Sequence, residues 1–264
     1  MMISNQGRSI SIRQTTPEDT PILYRAYTDD EFMRLYRSNN PLQSEEQLRQ
    51  MLAERLKHSP EKRGYIEFII IHRRYGAIGV ASLADFSSTH RRAEMLIGLF
   101  EQKYRGGKFA LEASLLVFDL AFNAYNLNKL YTYVYEYNHF AEKSTVHSGF
   151  TQEGTLKNHH YLVHEKRFVS LYINGLVIED FRRSETLRKL SLRLLGRDIT
   201  RPSEKEITAI PVDKELAAKY TAQLTKKLRT QAVRGEQSAI TNLKKNSWVI
   251  RDQSAFTNRP LPLT

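Results

Sequence analysis

Two glycines in the middle of the chain connect a segment typical of a strand to one typical of a helix. The apolar residues 95–100 predict the strand, and apolar residues spaced along 110–121 predict the helix. Glycine lets the backbone turn sharply and lets a ligand approach the main chain closely. The first turn of a helix presents main-chain N–H groups that bind anions, phosphate above all. Gly106 and Gly107 therefore predict an anion site, which Arg105 and Lys108 flank.

The residues around the glycines exclude two familiar phosphate-binding motifs. A Walker A loop needs glycine at position 102 and serine or threonine at position 109, where this chain has Gln102 and Phe109. A dinucleotide-binding fingerprint needs three spaced glycines, which are absent. Many strand–helix units turn through glycine without binding a ligand, so the glycine turn alone leaves phosphate binding open.

A second stretch, about thirty residues further on, gives the glycine turn a family context. It has four residues at a fixed spacing: Asn138, Ala141, Gly149 and Phe150. Together with the glycine turn and the pair Glu112-Ala113, it resembles the GNAT superfamily of acyl-CoA-dependent N-acyltransferases. Within that superfamily it looks like the branch that includes the ribosomal-protein alanine acetyltransferases. The resemblance covers about residues 8–175.

The resemblance implies that the glycine turn holds the pyrophosphate of acyl-CoA through main-chain amides. The amides at the matching positions belong to Gly106, Gly107, Lys108 and Phe109. The family pattern has glutamine or arginine where this chain has Lys103, which can still meet phosphate as a point charge. It has a small residue where this chain has Lys108, whose side chain either crowds the phosphate or pairs with it. Arg105 adds a further positive charge.

The resemblance also implies an opening between two strands, about Glu94–Phe100 and Tyr131–Tyr135. The acyl-pantetheine arm would enter this opening, and amides near Ile97 and Leu99 would polarise the thioester carbonyl as the donors of an oxyanion hole do. A plain sheet interior fits the same residues. Asn138 matches the residue that contacts the pantetheine arm, and the role of helix N-cap is compatible with that contact.

Glu94, Thr145 and Ser144 are the candidate catalytic residues. An amine arrives mostly protonated, so a base or a water chain must take a proton before it attacks a thioester. Glu94 lies on the strand where some relatives keep a base, and a solvent-facing strand residue is the alternative. Many relatives protonate the leaving thiolate with a tyrosine at the position of Thr145, next to Ser144, but the high pKa of a hydroxyl makes it a poor acid. Further titratable groups are His72, His139 and His147.

The elements that position these residues follow the order β-α-α-β-β-β-α-β-α-β-β, a mixed α+β fold that matches the GNAT layout. Short loops between the strands near 65–72, 77–85 and 91–98 predict an antiparallel meander. The helix of about 108–125 is a crossover, so the strand after it runs parallel to the one before it. The spacing from Ser44 to Gln47 predicts a capped helix start. The expected fold is a largely antiparallel sheet flanked by helices.

Charge divides the chain into two parts. The 264 residues carry a net charge of +11, and residues 182–264 hold 18 of the 40 basic residues but only 8 of the 29 acidic ones. We therefore predict a GNAT-like acyl-CoA-binding domain at 8–181 and a basic, mostly helical C-terminal extension at 182–264. A basic extension suits nucleic acid or another polyanion, and a soluble helical appendage is the alternative.

Several classes of site and location are excluded or unsupported. The chain has no cysteine, which excludes thiol catalysis, disulfides and thiolate metal sites. We predict no metal site, because the close histidines have few acidic partners at suitable spacing: His159, His160 and His164. No run of 18 apolar residues occurs, and the first residues lack the features of a signal peptide. We therefore expect no membrane span and a cytoplasmic location.

These features predict an N-acetyltransferase that moves an acetyl or similar acyl group from acyl-CoA to a primary amine by direct attack in a ternary complex. The acceptor, a small molecule or a peptide, is expected near residues 19–56 and the loop after Leu156. One alternative is a non-catalytic GNAT-like module that binds acyl-CoA, or that binds nucleic acid or a partner through its basic third. Another keeps catalysis and uses the basic third to recruit an acidic acceptor such as the ribosome or tRNA.

Overall fold

The computed structural model describes residues 3–36, 44–105, 108–163 and 165–202. All of these residues belong to the first of the chain's two units, Met1–Ile210. The second unit, Pro211–Thr264, lies outside the described residues, and so does most of the predicted basic extension.

The described strands form one sheet of eight strands. They are β1 (Ser4–Gln6), β2 (Ile10–Gln14), β3 (Tyr65–His72), β4 (Gly76–Ser87), β5 (Arg92–Leu99), β6 (Lys129–Tyr135), β7 (Thr151–Leu162) and β8 (Arg167–Val177). Their spatial order is β1-β2-β3-β4-β5-β6-β8-β7. Every neighbouring pair is antiparallel except β5 and β6, which are joined by a helical crossover. The predicted meander and its single parallel pair are confirmed.

The described helices cover both faces of this sheet. They are α1 (Thr20–Tyr27), α2 (Asp30–Tyr36), α3 (Glu45–Leu56), α4 (Pro60–Arg63), α5 (Lys108–Phe118), α6 (His139–His147), α7 (Ile178–Arg183) and α8 (Glu185–Leu194). The crossover α5 continues through a π-helical turn, Asp119–Ala124, so it has the predicted length. The predicted start of α3 is also confirmed, because the hydroxyl of Ser44 accepts a hydrogen bond from the amide of Gln47 at 3.1 Å.

Side chains alternate along the strands, and the two largest of three hydrophobic cores among the described residues lie on opposite faces of the sheet. Phe68, Ile70 and Ala81 belong to the larger core, together with apolar residues of α5 and α8. Ile69 and Val80 belong to a second core with residues of α1, α2 and α3. Sequence neighbours that enter different cores lie on opposite faces of the sheet. We call the two sides the α5 face and the α2 face.

Three features differ from the prediction. The short edge strand β1 pairs with β2 and was not predicted, because its polar residues show no apolar alternation. β7 and β8 extend far beyond the strands predicted near 150–156 and 168–173. β7 is an edge strand with most of its residues exposed, so its sequence lacks the apolar alternation by which a strand is predicted. The boundary predicted between 181 and 182 falls inside α7, and the α5-face core continues through Leu187, Leu190 and Leu194 of α8. The position where the sequence becomes strongly basic therefore does not mark the end of the hydrophobic core.

Glu67 of β3 joins the helices of the α2 face to the sheet. It is 3% exposed, and one carboxylate oxygen accepts hydrogen bonds from the hydroxyls of Tyr27 and Tyr65, each at 2.7 Å. The other oxygen accepts from Arg55 at 3.1 Å and from Thr15 at 3.3 Å. Burial, followed by the charge of Glu67, raises the pKa of both tyrosines well above the usual value, so both remain neutral donors. A buried carboxylate is tolerated here because its partners are complete.

We expect Glu67→Gln to lower the free energy of unfolding by about 3 kcal/mol, because the guanidinium of Arg55 would lose its buried counter-charge. The matched control is Glu54→Gln, since Glu54 of α3 forms an exposed ion pair with Lys57, and its replacement should leave the free energy of unfolding close to that of the wild type. Urea unfolding followed by circular dichroism measures both variants. Equal losses in the two variants would contradict the anchoring role of Glu67.

Candidate functional site

β5 and β6 are paired over only three residues. Arg92, Ala93 and Glu94 lie opposite Lys129, Leu130 and Tyr131, and within the described residues no pairing joins the strands beyond this point. β5 nevertheless runs on to Leu99 and β6 to Tyr135. The predicted opening between the strands is therefore confirmed, and we call it the fork. Its edges carry main-chain N–H and C=O groups that an extended ligand can pair with, as an added strand does.

The residues predicted to bind acyl-CoA lie along β5, at the glycine turn and at the start of α5. Ile97 and Leu99 direct their side chains into the α5-face core, so only their main chain can meet a ligand in the fork. A Cβ on Gly98, between them, would come within 2.9 Å of the rings of Phe32 and Tyr36. Glycine here thus allows α2 to pack directly on the main chain of β5. Lys108 and Phe109 open α5, whereas Gly106 and Gly107 lie outside the described residues.

Two of the basic side chains predicted to meet phosphate are paired with carboxylates. Lys103 lies 2.6 Å from Glu101, whose hydrogen bond raises the pKa of that lysine. Arg105 lies 2.6 Å from Glu31 of α2, and its Nε donates to the carbonyl of Leu99 at 3.4 Å. An anion bound at the glycine turn would compete with these carboxylates. Arg105 also links the glycine turn to α2.

Glu94, the predicted base, lies at the fork point on the α2 face. Its β5 neighbours Ala93 and Met95 enter the α5-face core, so alternation places Glu94 on the other side. Burial raises the pKa of Tyr131 and of Tyr133, and the charge of Glu94 adds to the effect on both. Tyr131 lies opposite Glu94 in the strand register, and Tyr133 follows on the same face of β6, so Glu94 shares this side of the sheet with both tyrosines.

The remaining predicted site residues lie on α6. The side chain of Asn138 accepts a hydrogen bond from the amide of Ala141 at 3.1 Å and caps the helix, a role that leaves its predicted contact with pantetheine a prediction. Thr145 is half-buried and Ser144 is exposed. The carbonyl of Ser144 accepts a hydrogen bond from the hydroxyl of Ser148 at 2.8 Å. The catalytic roles of Thr145 and Ser144 remain predictions.

The three histidines considered as alternative bases are placed as ordinary structural or surface residues. The ring of His72 stacks on Tyr75 at 4.6 Å, and its Nδ1 accepts hydrogen bonds from the amides of Arg74 and Tyr75. His139 and His147 are exposed at the two ends of α6. Within the described ranges no cluster of three histidine, aspartate or glutamate side chains is placed to hold a metal ion.

Three side chains that the sequence interpretation missed close the fork at its inner end. Asp85 has a left-handed backbone (φ 44°) where the register of β4 against β5 shifts, as in a β-bulge. Its carboxylate accepts hydrogen bonds from Arg92 and from the hydroxyl of Tyr131. The Tyr131 hydroxyl lowers the pKa of Asp85, with Arg92 adding to the effect. Because β5 lies between β4 and β6, this contact ties the two outer strands together beside the last paired residue. We call it the fork staple.

No pattern in the sequence marked the fork staple in advance. Asp85 stands at the end of a predicted strand, where a polar residue is ordinary, and Arg92 and Tyr131 alternate as strand residues do. A bulge redirects a side chain without changing the apolar pattern around it.

A family model described as an Acetyltransferase (GNAT) domain matches residues 9–151, more than half of the chain. This range includes the fork, the glycine turn and α6. The chain belongs to the GNAT acetyltransferase family. Members of this family use acyl-CoA as co-substrate, which supports an enzyme with acyltransferase activity. The chain is also 30% identical over 153 residues to YoaA of Bacillus subtilis (strain 168), an uncharacterized N-acetyltransferase; the match covers 57% of this chain and 84% of that protein.

Solved structures share the fold of this GNAT protein. One is the spermidine N-acetyltransferase of Vibrio cholerae in complex with CoA and spermine, with a TM-score of 0.57, 21% identity and coverage of 64% of this chain and 95% of that one. Another is the ribosomal-protein-S5-alanine acetyltransferase of Vibrio fischeri, with a TM-score of 0.58, 16% identity and coverage of 66% and 96%. At these identities the likeness shows the fold alone. The predicted branch within the family is therefore not confirmed.

The helices of the described part of the chain include none that is both long and apolar enough to cross a membrane.

We expect Tyr131→Phe to loosen the fork point while leaving the fold intact. Removing the hydroxyl breaks the hydrogen bond to Asp85, which is half exposed, so the free energy of unfolding should fall by only about 1 kcal/mol. Amide hydrogen exchange should accelerate in residues 129–135 and 92–95. The control is Tyr161→Phe on the exposed end of β7. Unchanged exchange in Tyr131→Phe would contradict the role of the fork staple.

Proposed function

We propose that this GNAT protein is an N-acetyltransferase that transfers an acetyl group from acetyl-CoA to a primary amine in a ternary complex. The observation that carries the proposal is the fork, in which two parallel strands separate beside Glu94. The non-catalytic alternative has less support, because the candidate base lies at the fork point, on the face of the sheet that also carries Tyr131 and Tyr133.

The residues around the fork fit an acyl-CoA substrate. The unpaired edge of β5 offers main-chain groups to a pantetheine arm, and Ile97 and Leu99 are the residues whose amides we assign to the thioester carbonyl. The glycine turn with Lys103, Arg105 and Lys108 supplies the amides and charges for a pyrophosphate. When bound, acetyl-CoA supplies an acyl group activated as a thioester. Asn138 is assigned to the pantetheine arm.

Glu94 is assigned the role of general base. A primary alkylamine is protonated at neutral pH, so it must lose a proton to become a nucleophile. The carboxylate of Glu94 lies on the α2 face, and the acceptor would approach from that side, opposite to α5. A carboxylate there both attracts an ammonium group and accepts its proton. Thr145 and Ser144 could then donate hydrogen bonds toward the leaving group.

The acceptor class proposed is a primary amine on a small molecule or a peptide. A polyamine such as spermidine and a peptide that begins with alanine are both reasonable first choices, since enzymes with these acceptors share the fold. The residues 182–264 remain a proposed contact for nucleic acid or another polyanion. Within their described part, basic side chains often pair with nearby acids, as Arg188 does with Glu185 and Arg197 with Asp119.

Titration calorimetry of the full chain with acetyl-CoA tests the cofactor site. We expect micromolar binding that is weakened at least about tenfold in Gly106→Glu, because the new carboxylate repels the pyrophosphate. Gly154→Glu is the matched control, since a Cβ there meets only Ile173 at an ordinary 3.5 Å. Absence of binding to the wild-type chain would overturn the proposed function, and equal loss in both variants would overturn the assignment of the glycine turn.

Replacing Glu94 by glutamine tests the general base. We expect kcat for the best amine to fall about 100-fold near neutral pH, while the Kd of acetyl-CoA changes by less than about twofold. Raising the pH should recover part of the loss, since more of the amine is then already neutral. Glu179→Gln, an exposed residue of α7, serves as control. A kcat that stays within about threefold of wild type would show that another group takes the proton.

A further inference from the structure

Helix α2 lies over the unpaired half of β5. Phe32 is buried in the α2-face core, and the rings of Phe32 and Tyr36 pack on the main chain at Gly98. Phe32 also contacts Phe100, just after β5, with the ring centroids 5.7 Å apart. Gly98 lies beyond the fork point at Glu94. The helix is thus fixed to one side of the fork.

The last turn of α2 is joined to the other side of the fork. Tyr137, two residues after β6, donates its hydroxyl to the main-chain carbonyl of Arg34 at 2.7 Å. The guanidinium of Arg34 stands 5.1 Å from the centre of the Tyr137 ring and donates to Glu165 at 2.8 Å. Glu165 lies in the turn between β7 and β8. These partners are 103 and 131 residues from Arg34 in sequence, so only the fold brings them together.

A fourth residue supports these contacts from the β8 side. Arg167 donates to Glu165 at 2.7 Å, and its guanidinium lies 5.7 Å from the centre of the same Tyr137 ring. Both carboxylate oxygens of Glu165 are therefore engaged, one by each arginine. The arrangement fixes the Tyr137 ring and the turn together, beneath the end of α2.

Two bridges therefore cross the fork on the α2 face. The fork staple closes the inner end, and Arg34, Tyr137 and Glu165 connect the two sides at the outer end. Glu94 lies at the inner end of the opening, opposite Tyr131, and Tyr133, the next residue on the same face of β6, is 38% exposed. Tyr133 therefore lies between the β6-side residues of the two bridges, Tyr131 and Tyr137, on the side from which the proposed acceptor would reach Glu94.

We propose that Arg34, Tyr137 and Glu165 form a clamp that sets the size of the acceptor the fork admits. These are specificity-determining residues that bound the entrance and take no part in the proton transfer. The inference rests on the proposed function, since it assigns a boundary to the acceptor side of that same site. It predicts that slim amines pass the clamp and that amines with bulk next to the nitrogen are selected against.

The clamp is suited to selection because it contributes little to the stability of the fold. Its ion pair is partly exposed, with 54% of the Arg34 side chain and 29% of the Glu165 side chain accessible, and such pairs are weak in water. Conservative changes in the clamp should therefore leave the protein folded. They should change which acceptors enter, and the binding of acetyl-CoA should stay the same.

The test compares the full-length wild type with Tyr137→Phe, Glu165→Gln and the double variant. Each is assayed with acetyl-CoA and two amines. Spermidine is the slim amine, because each of its primary amines sits on an unbranched carbon chain, and a tripeptide amide with an N-terminal alanine is the bulky one, because its amine sits on a branched carbon. Acetylated products are measured by mass spectrometry and CoA release. Glu185→Gln is the matched control, because Glu185 also forms an exposed ion pair with an arginine, Arg188, but on α8.

We expect the ratio of kcat/KM for the slim amine over the bulky one to fall at least about fivefold in the double variant, mainly through a lower KM for the bulky amine. Where the wild type transfers nothing to the bulky amine, the double variant should gain that activity. The Kd of acetyl-CoA for the double variant should stay within about twofold of the wild-type value, and its melting temperature within about 2 °C. The control variant Glu185→Gln should match the wild type in both quantities and in the ratio of kcat/KM.

Two failures can be told apart. If acetyl-CoA binds normally but the ratio and the products of the variants match those of the wild type, the clamp does not select the acceptor, and the proposed function stands. If the wild type does not bind acetyl-CoA in the calorimeter, the proposed function itself fails. Faster hydrogen exchange in α2 together with an unchanged ratio would show a purely structural bridge and would overturn the proposal.

Discussion

The early end of pairing between β5 and β6 is the constraint on which the rest of the structure depends. A helical crossover makes these strands the one parallel pair among the described strands, and they stay together only from Arg92 to Glu94. Two extended strands left apart expose main-chain groups that otherwise pair. The fork staple fixes the place where they separate, and α2 and its clamp span the gap beyond it. Both bridges join residues from distant parts of the chain.

Each face of the sheet has a buried glutamate that holds helices to the strands. On the α5 face, the crossover helix is held by Glu112, which is 1% exposed and accepts hydrogen bonds from the amides of Ser9 at 2.7 Å and Ile10 at 3.0 Å. This contact gives the glutamate of the family-like sequence pattern a structural role: it fixes the helix that begins at the glycine turn. On the α2 face, Glu67 does the same for the helices beside the acceptor side. Each buried carboxylate is tolerated because main-chain or side-chain donors surround it.

Helix α2 contacts Arg105, β5 and the outer end of the fork. Its first turn pairs with Arg105 through Glu31, its middle packs on Gly98, and its last turn belongs to the clamp. Arg105, next to the glycine turn, therefore contacts the same short helix that carries Arg34 of the clamp. The pairs at both ends of α2 are partly exposed ion pairs and hence weak, whereas its middle is buried. The helix is held firmly at β5 and lightly at its ends.

The sequence by itself determined the order of the elements from β2 onward, the parallel pair and the start of α3, because apolar periodicity, turn glycines and capping residues act over a few neighbouring positions. The family followed from a resemblance in the motifs around the glycine turn and Asn138, and the roles of Glu94 and the glycine turn remain predictions. The sequence could not indicate Asp85 with Tyr131, Arg34 with Glu165, or the burial of Leu187 in the main core. These contacts join residues tens to more than a hundred positions apart, and their residue types are ordinary for exposed strands and helices. Only the tertiary structure decides them, because strand register, a β-bulge and the packing of α2 on Gly98 bring those side chains together.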